Sequence, residues 1–109
     1  MPADYSPVHS TVDTQFSNDR LPLFTLGKIV ATRGVLMHLE REGILADEYL
    51  GRHVCGDWGD LTPNDMEMNR LAVIHGSRIF SSYVVACKRV WIITEADRSA
   101  TTLLFPSEY

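Results

Sequence analysis

The spacing of apolar positions divides the chain into three stretches. Residues 1–20 scatter single apolar residues among Ser, Thr, Asp and Pro without a period. Such a stretch buries too little apolar surface to offset chain entropy, so 1–20 reads as a disordered tail ahead of a single domain, 21–109. Order is expected to begin near Leu21-Pro22-Leu23-Phe24, with Ile29-Val30 as a short strand or extended lead-in. Val35, Leu36 and Leu39 then share one face of a helix predicted over Arg33–Glu42, with Thr32 as N-cap and Gly43 as the stop. A shorter helix is predicted over Glu48–His53, capped by Asp47, with Tyr49 and Leu50 inward. Gly56-Asp57-Trp58-Gly59-Asp60 opposes regular structure and reads as a loop. Thr62 at N-cap, Pro63 at the first helical position and Asp65 in the first turn make the strongest helix start in the chain. That helix is expected over Pro63–His75, with Met66, Leu71 and Ile74 among its buried residues and Gly76 ending it.

Beyond Gly76 the apolar period falls from about 3.6 to about 2. Ser77–Ala86, Arg89–Glu95 and Ala100–Phe105 are rich in Val, Ile, Tyr, Trp and Thr and read as strands. The links between them, Cys87-Lys88 and Ala96-Asp97-Arg98-Ser99, are too short for a parallel crossover. The expected fold is α+β: three helices followed by a three-stranded antiparallel β-meander, with the helices packed on the sheet. In the middle strand Trp91, Ile93 and Glu95 share one side and Val90, Ile92 and Thr94 the other. Two apolar sides imply a strand covered on both faces or an oligomer contact, so a homodimer through the sheet is one expectation.

Composition narrows the class. At 109 residues, 45% apolar and 22% charged, the chain has the make-up of an ordinary globular domain, with a net charge of −4. The acids concentrate in residues 40–70, where eight stand against Arg41, Arg52 and Arg70. No stripe of Lys and Arg is present to neutralise duplex phosphates, which argues against a dedicated DNA-binding domain. The acidic middle suits a basic protein partner or a plain solvated surface. No apolar run approaches the ~18 residues of a membrane span, and Met1–Tyr5 lacks the basic and apolar regions of a secretory signal. Cys55 and Cys87 form neither a CxxC pair nor a disulfide framework, so a reducing, cytoplasmic setting is expected, with a single bridge between them left open.

Three stretches carry a resemblance. They are Arg52-His53-Val54-Cys55-Gly56-Asp57-Trp58-Gly59-Asp60-Leu61, Trp91-Ile92-Ile93-Thr94-Glu95-Ala96-Asp97-Arg98-Ser99-Ala100-Thr101-Thr102-Leu103-Leu104, and Pro106-Ser107-Glu108-Tyr109. Together they resemble a group of small bacterial proteins met on plasmids and other mobile elements, over residues 21–109. The resemblance implies an accessory role in a mobile element and transfers no catalytic residue.

Two polar clusters are candidates for chemistry. In the first, His53 lies within a few residues of Asp57 and Asp60, the arrangement of an acid–base group with an orienting carboxylate, and Trp58 offers a ring for stacking on a base or sugar. The structural alternative has the two carboxylates satisfying loop amides and Trp58 filling the core. His53, Cys55 and Asp57 are metal-capable, with His75 or Cys87 to complete a set, but the paired spacing of zinc sites is missing; no metal and no cofactor is assigned. The second cluster is Thr94, Glu95, Asp97, Arg98, Ser99, Thr101 and Thr102, a hairpin tip whose guanidinium fork suits a phosphate or carboxylate. The alternative is a turn in which Asp97 binds backbone amides and Arg98 pairs with a nearby acid. Ser81, Ser82 and Tyr83 lie in a strand outside any G-x-S-x-G elbow, and the glycines form no phosphate-binding fingerprint.

Two functions follow. The first is a non-enzymatic protein-interaction module of a mobile element, for example an inhibitor of a host nuclease defence of restriction or CRISPR type. It would bind through Trp58, Asp60, Tyr83, Glu95, Asp97, Arg98 and Thr102. The alternative is a small RNase or RNase-like toxin, acting on nucleic acid with His53 as acid–base group, Asp57 beside it, Arg98 as phosphate clamp and Trp58 or Tyr83 as base platform. Convergence of His53, Asp57 and Arg98 in one open cleft would favour the second.

Overall fold

The computed structural model describes residues 21–109 and the backbone of Tyr5–Pro7. The expected tail, 1–20, lies outside the described residues except for Tyr5–Pro7, which forms a strand, β1. It is followed by β2 (Lys28–Thr32), α1 (Arg33–Glu42), α2 (Asp47–Val54), α3 (Pro63–His75), β3 (Ile79–Val85), β4 (Lys88–Thr94) and β5 (Ala100–Leu104), then a 3₁₀ turn at Pro106–Glu108.

The fold differs from the expected helices-then-meander in one decisive way. The antiparallel meander β3-β4-β5 is present, but β2 precedes the helices and pairs parallel with β5, Lys28 opposite Ala100 and Ala31 opposite Leu103. The sheet is therefore mixed, a four-stranded body of order β2-β5-β4-β3 with β1 added antiparallel outside β2. Short links do rule out parallel pairing between neighbours in sequence. They say nothing about β2 and β5, whose connection runs through all three helices and two strands. Lys-Ile-Val-Ala-Thr is also too brief a run for alternation to declare itself.

Helix ends follow their chemistry. Thr32 caps α1, its hydroxyl accepting from the Val35 amide, and Thr62 caps α3 by accepting from Asp65. Gly43 and Gly76 end the two helices in the left-handed conformation. α2 differs: it begins at Asp47 behind Ala46, with no side-chain cap, so Asp47 is a first-turn acid and not the N-cap. The other end of the chain completes α1. Glu108 Oε1 accepts from the Thr32 hydroxyl and the Phe105 amide, both at 2.8 Å, placing a carboxylate at the positive end of the helix.

Register gives the sheet two faces. Ile29, Ala31, Ser81, Tyr83, Val85, Val90, Ile92, Thr94, Thr101 and Leu103 face inward, where the core gathers Val35 and Leu39 of α1 with Leu50 and Val54 of α2. The outward face carries Phe80, Trp91, Ile93, Thr102 and Leu104, and Tyr109 stands edge-to-face on Trp91. α3 departs from expectation. Its buried residues are Asn69 and Ala72, while Met66, Met68 and Ile74 are 41%, 58% and 62% exposed. The reason is its seat: α3 lies along the edge of β3, where the Asn69 amide donates to Phe80 O and accepts from Phe80 N, as a neighbouring strand would. Met66 and Ile74 are thus solvent-facing and not core, and Leu71 is half-buried.

The glycine-rich loop finishes that edge. Trp58 O accepts from Ser82 N, and Asp60 N donates to Ser82 O. Gly59, at φ +75°, sits so close that an added Cβ would collide with the Ser82 carbonyl and the Tyr83 ring. Gly43 has a similar φ, +67°, but open space. Gly43→Ala should therefore cost about 1 kcal/mol and Gly59→Ala roughly 3 kcal/mol or more in urea denaturation; equal costs would contradict this docking of the loop.

Candidate functional site

His53, in the last turn of α2, lies under the sheet with no exposed surface. Its Nδ1 is 2.5 Å from Ser81 Oγ and its Nε2 is 2.9 Å from Thr94 Oγ1. Thr94 Oγ1 meets Thr101 Oγ1 at 2.7 Å, and Thr101 donates to Leu26 O at 2.7 Å. Ser81, Thr94 and Thr101 are as fully buried as the imidazole.

Donor and acceptor counting fixes every proton in this chain of bonds. The Leu26 carbonyl can only accept, so Thr101 spends its proton there and accepts from Thr94. Thr94 has then spent its own proton and must accept from Nε2–H. A neutral ring leaves Nδ1 as an acceptor for the Ser81 hydroxyl. The ring is neutral because burial, reinforced by the Arg98 charge, pushes its pKa down to about 3. His53 is therefore a satisfied connector, with no nitrogen left for a substrate or a metal. Phe24 stands edge-on to the ring at 5.3 Å and closes it from the segment before β2.

Arg98 is also spent internally. At φ +60° in the β4–β5 turn, its Nη1 donates to Ser77 O and Glu95 O, and its Nη2 to Ala72 O. A cation on the last carbonyls of α3 stabilises the negative end of that helix. Arg98 thus pairs with carbonyl oxygens and not with an acid. Asp97 beside it accepts from the Ser99 amide, and the hydrogen bonds from Ser99 hold its carboxyl below the usual range. Glu95 pairs with Arg78, whose Nη1 also donates to the Tyr109 hydroxyl.

The Asp57 carboxylate takes both Nε and Nη2 of Arg52, whose guanidinium lies 4.6 Å from the centre of the Tyr83 ring. Tyr83 is buried, which raises its phenol pKa, and its hydroxyl donates to Asp57 O at 2.6 Å. Asp60 is exposed and pairs with Arg89. Trp58 is half-buried, with its indole N–H enclosed and lacking a partner among the described residues. Thr102 is half-buried on the outward face, between Ile93 and Val30.

The signatures do come together, but through their buried members. His53 of the first joins Thr94 and Thr101 of the second, while Asp57 and Arg98 serve different clamps. Two hollows open on the described surface. One is an apolar groove of about 300 Å³ bordered by Phe24, Leu26 and Val54; the other is a polar hollow of about 210 Å³ at Arg52, Asp60, Ser82 and Tyr83. Neither is lined by His53 or Arg98. Asn69, Arg52, Arg89 and Glu108 are structural residues that sequence reasoning passed over; only the polar Ser81, Thr94 and Thr101 left a signal, as hydrophilic positions on the inward face of apolar strands. No family model, curated protein or solved structure matches the chain.

The buried imidazole couples stability to pH. Its folded pKa, about 3, lies below the ordinary 6.5 of the unfolded chain. The unfolded state therefore gains a proton first as pH falls. The stability is fully present above about pH 6.5 and is lost progressively towards pH 3, on the order of 5 kcal/mol in all. Denaturation at stepped pH should show this slope in the native chain and a shallower one in His53→Gln; identical profiles would contradict it.

Proposed function

We propose that this chain is a non-enzymatic protein-interaction module that docks through the exposed surface of α3. The observation that carries the reading is the exposure of large apolar side chains on α3. α3 is anchored by Asn69 and Ala72 and turns Met66, Met68 and Ile74 to solvent. A surface helix normally buries its large apolar residues, and methionine and aliphatic side chains left exposed around one helix suit a protein partner. The segment from 40 to 70, which includes the first half of α3, carries eight acids against three Arg, so the partner is a basic protein. The resemblance to mobile-element proteins makes an inhibitor of a host nuclease defence, acting in the cytoplasm, the concrete form of this role. The RNase reading loses its support, because His53 and Arg98 are both committed to internal bonds.

Met68→Arg/Ile74→Arg changes exposed positions and should leave the melting temperature within a few degrees. A tagged native chain should capture a stoichiometric partner from host lysate, and the double variant should hold that partner at least about tenfold more weakly. Capture of no partner at micromolar protein, or equal capture by both chains, would overturn the proposal.

A further inference from the structure

The two edges of the sheet are finished very differently. A two-residue turn, Ala86-Cys87, joins β3 to β4, so Val85 and Lys88 are hydrogen-bonded to each other and the backbone groups of Phe80, Ser82 and Val84 point away from β4. Asn69 satisfies both groups of Phe80, and the Trp58–Asp60 loop satisfies both groups of Ser82. At two of its three outward positions that edge is sealed by elements fixed in the fold.

The outer edge of β2 is covered, among the described residues, by β1 alone. β1 pairs Tyr5 with Thr32, Ser6 with Ala31 and Pro7 with Val30, which leaves Lys28 and Ile29 beyond its register. Lys28 N donates to Ser99 O, so Lys28, Val30 and Thr32 turn their backbone groups toward β5, and Ser6 opposite Ala31 is the one hydrogen-bonded pair that β1 can make with β2. Between β1 and β2 run residues 8–27, so β1 is held to this edge by a long connection and three residues of pairing. A cover of that kind is easily exchanged, and what it exchanges for is set by what it shows the edge can take: an extended chain in antiparallel register.

We propose that the outer edge of β2 is a strand-acceptor site for an extended segment of a partner polypeptide, with β1 as its displaceable internal occupant. Specificity comes from alternate side chains of the incoming strand, those beside Ile29 and Ala31 reaching the inward face and those beside Val30 the outward face. The site is independent of α3 and stands or falls apart from docking there.

The probe is a fluorescent peptide of residues 1–12 of this chain, titrated into three full-length proteins. They are the native chain, Ser6→Pro, which removes an amide from β1, and Pro7→Cys/Val30→Cys in a Cys87→Ser background, which ties β1 down when oxidised. Ser6→Pro should bind the peptide at least about tenfold more tightly than the native chain. The oxidised variant should show no measurable binding and regain it on reduction, which serves as its own folding control. Equal affinity in all three, or no binding to Ser6→Pro at millimolar peptide, would overturn the proposal. So would a native dimer in sedimentation that the cross-link abolishes, since the edge would then belong to a second copy.

Discussion

Five separate pieces of this chain meet at one buried imidazole. His53 comes from α2, Ser81 from β3, Thr94 from β4, Thr101 from β5, and the Leu26 carbonyl from the segment leading into β2. The bonds run in one direction from the Ser81 hydroxyl to the Leu26 carbonyl, so removing a link between them leaves a buried donor or acceptor unpaired, at about 1–3 kcal/mol for each orphan. An apolar core tolerates sliding; a polar chain with fixed donor directions does not. This requirement sets the depth of α2 over the sheet, and it brings Leu26 to β5, next to the start of the parallel pairing of β2.

The three polar stretches singled out in the sequence take on a common meaning in this light. In the first, Arg52 and Asp57 clamp the Tyr83 ring, His53 enters the core, and Gly59 lets the loop reach Ser82. In the second, Thr94 and Thr101 extend the bonds from His53, and Arg98 closes the end of α3. In the third, Glu108 completes the cap of α1 and Tyr109 packs on Trp91. Residues that look like chemistry along the sequence are spent on assembly.

Local signals made much of the fold legible. Thr32 with Gly43, and Thr62-Pro63 with Gly76, mark both ends of α1 and α3, because caps are short-range hydrogen-bond requirements written in adjacent residues. The three C-terminal strands are equally plain, since alternation and short links need no distant information. What stayed hidden depends on contacts between distant segments. The parallel pairing of β2 with β5 joins residues some seventy positions apart. The outward turn of Met66 and Ile74 follows from Asn69 finding the Phe80 backbone, which no periodicity shows. The burial of His53 has the same origin: the Ser81 and Thr94 hydroxyls that satisfy its ring lie 28 and 41 positions away along the chain.

The most direct test of this account is the ring nitrogen spectrum of His53 in the folded protein, followed by ¹⁵N NMR from pH 7 to pH 4. The account predicts a neutral ring protonated at Nε2 throughout, with Nδ1 held as an acceptor. An imidazolium forming near pH 6.5, or a proton resident on Nδ1, would contradict it.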